Sequence, residues 1–235
     1  MLELVAIVVI GLLVTTGLRA FVFQPFKVPS GSMQNTLQVH DKIVALRVID
    51  FERGDIVVFQ DANRWLGPPR EPGLVRRGLE FVGVLPNSAE GHLVKRVIGM
   101  PGDRVSCCDD QDRMTVNGYA LDESAYLFTD DSGMVKPAEV PFEVVVPAGH
   151  MFVLGDHRNA SGDSRCHLRD VSLQGGPAGA PAFIPLDSVV GTVTLIMAPL
   201  DRIQRLQTPE AFAHVPEPVD PAPDEAEIVR VGEGC

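Results

Sequence analysis

The feature that most constrains this chain is its punctuation. Short apolar runs rich in Val and Ile are interrupted repeatedly by Gly and Pro turns, with 22 Gly and 19 Pro in 235 residues. Few windows keep a helical period long enough for an amphipathic helix, so strands separated by tight turns are the expected units. Strand candidates are Lys42 to Val48, Ile56 to Phe59, Leu93 to Ile98, Phe142 to Val146, Met151 to Leu154 and Val189 to Ile196. Turns such as Arg53-Gly54-Asp55 and Pro101-Gly102-Asp103 separate them. Asn117-Gly118, between Thr115-Val116 and Tyr119-Ala120-Leu121, is a two-residue hairpin signal, because both central residues must take positive φ. Together these predict a mainly β, antiparallel, coiled body.

The first residues form a separate unit. Leu4 to Phe23 is apolar or small throughout except for Arg19, long enough as a helix for a hydrocarbon core of ~30 Å. A retained transmembrane anchor is expected over residues 1–20 rather than a cleaved signal, since no basic stretch precedes it and Thr16-Gly17-Leu18-Arg19 offers no small-x-small cleavage site. Arg19, near the helix end, can snorkel to the interface. With Lys27 it follows the span, which by the positive-inside tendency would keep that side cytoplasmic.

The remaining segments divide by composition. Residues 21–200 form the expected β-rich body, with a small inserted β segment at about 104–148. Asp61 to Ser88 and Gln174 to Ala182, rich in Gly and Pro, are expected to be surface insertions. The stretch 201–235 is expected to be a solvated, acidic, Pro-rich tail. A net charge of −11 excludes a nucleic-acid partner, because the 20 Lys and Arg form no clustered basic surface. The six His are scattered and Cys107-Cys108 lacks a second ligand pair, so neither a metal nor another cofactor is expected. Cys107, Cys108, Cys166 and Cys235 admit several bridges, and unpaired thiols are the preferred reading.

Two features bear on chemistry. Pro29-Ser30-Gly31-Ser32-Met33 sets a serine beside a glycine that lets a substrate backbone approach closely. Such a serine needs a base. Asp156-His157 is one candidate pair, but it also reads as a polar turn after a strand. Lys95 is the better base: alternation groups it with Leu93 and Val97, with Arg96 on the other face beside Val94 and Ile98. Burial among aliphatic groups disfavours an ammonium and can lower a lysine pKa by ~3–5 units, while an edge-strand lysine would instead reach water.

Four ordered blocks then resemble one family. These are Pro29 to Met33, Arg53-Gly54-Asp55-Ile56-Val57-Val58-Phe59, Lys95-Arg96-Val97-Ile98-Gly99 with Pro101-Gly102-Asp103, and Gly155 to Arg165, closed by Ile184-Pro185-Leu186-Asp187-Ser188-Val189-Val190-Gly191. They resemble the boxes of bacterial type I signal peptidases, from Phe21 to about Ala198. The resemblance implies a membrane-bound serine endopeptidase that removes signal peptides from exported preproteins, its catalytic body outside the cytoplasmic membrane of a bacterium. That overrides the charge-based orientation and brings in the lipid bilayer as a partner. It implies Ser32 as nucleophile, Lys95 as general base, and Ser30 with the Ser32 N–H as the oxyanion hole. Ser161, Asp163 and Arg165 would order the lysine. Val28, Met33, Leu37 and Val94 would line shallow pockets giving an Ala-x-Ala preference. His157 departs from the pattern, standing where Asn is common, and so do Cys166-His167 and the loop from Gln174 to Ala182.

Overall fold

The computed structural model describes residues 22–67, 91–171 and 176–232, together with Glu3, Ile7, Ile10 and Gly11. Those four isolated positions are helical, and no helix among the described residues is long and apolar enough to cross a membrane. The expected anchor over residues 1–20 lies almost wholly outside the described residues.

Among the described residues, fifteen strands follow in chain order. They are β1 (Phe23–Lys27), β2 (Lys42–Leu46), β3 (Ile56–Gln60), β4 (His92–Gly99), β5 (Arg104–Cys107), β6 (Thr115–Val116), β7 (Tyr119–Ala120), β8 (Thr129–Asp130), β9 (Gly133–Met134), β10 (Phe142–Val145), β11 (His150–Leu154), β12 (Ile184–Pro185), β13 (Val189–Ala198), β14 (Gln204–Arg205) and β15 (Glu227–Val231). One sheet runs β1-β2-β13-β3-β4-β11-β12 with β14 added to β13, a second runs β15-β10-β5-β6-β7, and β8 and β9 pair alone. The expected antiparallel, mainly β body is what the chain forms. Asn117 and Gly118 take φ of 51° and 78° between β6 and β7, as the hairpin signal requires.

Strand β4 positions the site. Val57 of β3 faces Lys95 on one side, while Leu154 and Val153 of β11 face Arg96 and Val97 on the other. With a neighbour on each side and buried on both faces over its second half, β4 carries two cations into the interior. Beneath β1 and β2, Val28, Met33, Leu37, Ile43 and Ile56 form one apolar cluster. A larger cluster joins the second sheet to β11 through the rings of Phe142, Phe152 and Phe183, spaced 5.5 and 5.8 Å.

Three expectations are corrected. The stretch after Ala198 is not a solvated tail: it leaves the first sheet, packs under the turns and ends as β15, paired antiparallel with β10 in the second. Phe212 and Val215 are buried, Glu217 pairs with Arg53 at 3.1 Å, and Pro223 O accepts from Ala148 N at 2.8 Å. Its prolines and carboxylates concealed a strap held by widely spaced apolar residues. The two insertions dock on each other where they are described: Asn63 and Trp65 donate side-chain N–H groups to Pro181 O, and Ala182 is fully buried. Finally, Cys107 and Cys108 form a vicinal disulfide, and no free cysteine remains among the described residues.

Candidate active site

Three segments converge on Lys95: the loop after β1, the middle of β4, and the loop after β11. The first loop turns tightly, with Gln34 N donating to Gly31 O at 3.0 Å and Leu37 N to Met33 O at 2.7 Å. It presents Ser32 above the buried side chains of Met33 and Leu37. Asp41 fixes its far end, accepting Gln38 N at 2.8 Å and the Arg202 guanidinium of the strap at 2.9 Å.

Lys95 Nζ lies 2.7 Å from Ser32 Oγ and 3.0 Å from Ser161 Oγ. The lysine is only 2% exposed, and burial lowers its pKa from 10.5 to about 8. Arg165 lowers it further, while Asp163 and Asp156 oppose the shift. Such an amine gives up its proton within reach of neutral pH and then has one lone pair to offer a hydroxyl. Ser30 Oγ stands 3.5 Å from Ser32 Oγ on the exposed side.

The supporting carboxylate is Asp163, fully buried. It accepts Arg165 through Nε and Nη2, each at 2.9 Å, and Gly155 N at 3.0 Å. Burial alone would raise its pKa, but Arg165 and Lys95 outweigh burial and hold it below the ordinary carboxylate range. Asp163 thus stays charged, and Arg165 carries the link onward to Arg158 O at 2.7 Å.

Asp156 and His157 do not build a serine-histidine-carboxylate relay. Asp156 is fully buried and bidentate to Arg96 at 2.6 and 2.8 Å, with Thr36 Oγ1 donating to it as well. The His157 ring reaches Gly31 O and Gln34 Oε1.

The Arg96 group was not singled out from sequence. Arg96 also lies 4.3 Å over the Tyr126 ring and donates to Gly54 O at 2.7 Å, and Tyr126 donates to Glu123, which pairs with Arg158. The available signal was an arginine and a lysine side by side in an otherwise apolar strand, because a buried charge requires a buried partner. Val28, Met33 and Leu37 are 2%, 1% and 0% exposed, so they form the packing beneath the site; Val94 is half-buried beside them. No group of side chains suited to a metal ion occurs among the described residues.

A family model described as signal peptidase, peptidase S26, matches residues 1–198. The chain belongs to that family. The signal peptidase match ends with β13, so the strap after Ala198, β14 and β15 included, lies beyond it. The chain is 32% identical to a probable signal peptidase I of Mycobacterium leprae over 228 residues, covering 85% of this chain and 76% of that one. It is 31% identical to the signal peptidase I of Mycobacterium tuberculosis strain H37Rv, covering 85% and 73%. Among solved structures, a signal peptidase I from Enterococcus faecalis V583 matches 63% of this chain and 99% of its own, with a TM-score of 0.37 and 21% identity. By the family match and the two mycobacterial relatives, the chain is a peptidase with signal peptidase I function.

Proposed function

We propose that this peptidase cuts signal peptides from exported preproteins at a membrane surface, after small-x-small sites, with Ser32 as nucleophile and Lys95 as general base. The observation that carries the reading is the 2.7 Å approach of Ser32 Oγ to a buried amine whose pKa is lowered to about 8. A serine hydroxyl is a poor nucleophile until a neighbouring base takes its proton.

The steps follow from that contact. Neutral Lys95 accepts the Ser32 proton as Oγ bonds to the scissile carbonyl carbon. The resulting oxyanion is held by the Ser32 N–H and the Ser30 hydroxyl. Lys95, now an ammonium, returns its proton to the departing amine, leaving an ester on Ser32. Water then attacks that ester with Lys95 again taking a proton, and the tetrahedral adduct collapses as Lys95 returns that proton to the departing Ser32 Oγ, releasing the signal peptide as an acid that ionises to its new carboxylate. Throughout, Ser161 Oγ at 3.0 Å steers the amine, and the Asp163–Arg165 pair holds the loop that carries it.

Val94, over the floor of Val28, Met33 and Leu37, is where small substrate side chains are accommodated. The apolar stretch from Leu4 to Phe23 anchors the chain in a bacterial cytoplasmic membrane by a single span, with the catalytic body on the extracytoplasmic side and the half-buried Phe23 beside the bilayer. The units are then an anchor at 1–20, a body at 21–200 carrying an inserted β segment, and the strap.

Purified full-length protein in detergent, incubated with an Ala-x-Ala precursor peptide, should give one cut, mapped by mass spectrometry. Ser32→Ala should abolish it, and Ser30→Ala should lower the rate by roughly 10²–10³, the usual cost of one oxyanion donor. Normal turnover by Ser32→Ala would overturn the assignment.

A further inference from the structure

Two peptide units meet at Ser32, and His157 touches both. Its ring Nδ1 lies 3.3 Å from Gly31 O, and its backbone N–H donates to Ser32 O at 3.1 Å. Gly31 O can only accept, so Nδ1 carries the proton facing it. The same Nδ1 stands 3.2 Å from Gln34 Oε1, and Phe128 stacks on the ring with centroids 3.8 Å apart. Gly31 makes this possible, since a Cβ there would lie 2.7 Å from Gln34 Oε1.

The consequence comes from the planarity of the peptide bond. In the trans unit joining Gly31 to Ser32, the carbonyl of one and the N–H of the other point in opposite directions and cannot turn independently. A group that fixes the direction of Gly31 O therefore fixes the direction of the Ser32 N–H. That N–H is the backbone donor for the oxyanion. We propose that His157 is a positioning residue that aims this donor by holding Gly31 O from behind, with the Phe128 ring setting the plane of the imidazole. Gln34 N, donating to the same oxygen at 3.0 Å, shares the task.

The inference rests on the Ser32–Lys95 reading and adds to it a residue that never meets the substrate. A donor fixed before the reaction stabilises the oxyanion and not the bound peptide, so loss of His157 is felt in kcat and hardly in KM. Asparagine places its amide nitrogen the same number of bonds from Cα as Nδ1; glutamine places it one bond further. The two substitutions are similar in polarity and differ in where the donor ends.

The test is steady-state cleavage of an Ala-x-Ala precursor by full-length His157→Ala, His157→Asn and His157→Gln, alongside inhibition by a peptide aldehyde that adds to Ser32. Removing a whole oxyanion donor costs roughly 10²–10³, so loosening its aim should cost about tenfold. Expected results are kcat down about tenfold in His157→Ala and His157→Gln with KM unchanged, aldehyde affinity down by the same factor, and kcat within about threefold of wild type in His157→Asn. The Asn and Gln pair decides the matter should the alanine variant fold poorly. Equal kcat in the Asn and Gln variants, or a loss confined to KM, overturns the proposal. Failure of the dyad reading is seen separately, as turnover surviving in Lys95→Ala.

Discussion

Gly155 backs directly onto Ser32: a Cβ at position 155 would collide with the Ser32 carbonyl oxygen and with Ser161 Oγ. The missing side chain lets the loop after β11 close on the loop after β1, with Lys95 between them. Gly155→Ala should push the two loops apart. A misplacement near 1 Å costs about 10² in rate, and overpacking a tight site costs about 1–3 kcal/mol of stability. Cleavage assays and denaturant melts check both; wild-type turnover would show that the loops make room.

The depressed pKa of Lys95 is also a statement about stability. Its folded value of about 8 lies below the ordinary lysine value of 10.5, so between those limits the unfolded chain holds more protons than the folded one. Stability attributable to this group therefore rises as pH climbs from 8 to 10.5 and is lowest below 8. Comparing wild type with Lys95→Met isolates it: the difference in unfolding free energy should shift toward wild type by on the order of 3 kcal/mol between pH 7 and pH 11. A pH-independent difference would mean that the amine is not desolvated.

Asp156 and Arg96, buried on adjacent strand and loop, should be far less tolerant than surface pairs. Asp156→Asn leaves the Arg96 charge uncompensated and should cost about 3–5 kcal/mol, read by chemical denaturation. Preserved stability would place water or another carboxylate beside Arg96.

The strap makes a prediction of its own. Phe212 is buried against Gly54, where a Cβ would strike its ring, and stacks 6.0 Å from Tyr126. Phe212→Ala should therefore lose about 3 kcal/mol, near the lower end for a buried phenylalanine. A thermal midpoint equal to wild type would return the C-terminal stretch to a solvated tail.

The sequence announced β2, β3, β4, β11 and β13 of the first sheet because they are short runs rich in Val and Ile set off by turns such as Arg53-Gly54-Asp55. Strands β1, β12 and β14 carry no such run and are not among the strand candidates. Ser32, Lys95 and Ser161 stood in blocks whose order resembles a family, and the structure brings the three together. The strap escaped because its few apolar residues, Phe212, Val215 and Ile228, are spread among prolines with no period to betray them. The Arg96–Asp156 pair escaped for another reason: pairing across 60 positions leaves no local pattern. Composition likewise could not tell a vicinal bridge from two thiols at Cys107 and Cys108.

The central claim is that Lys95, neutral, takes the proton from Ser32. It is tested most directly by kcat/KM against pH, from 6 to 10, for wild type and Lys95→Ala on one Ala-x-Ala precursor. Only the deprotonated amine acts, so wild-type kcat/KM should rise about tenfold per pH unit below about 8 and then level. Lys95→Ala should lie at least about 10³ below it at every pH above 8, having no base at all. Near-normal cleavage by Lys95→Ala, or a wild-type profile flat from pH 6 to 9, would contradict the account.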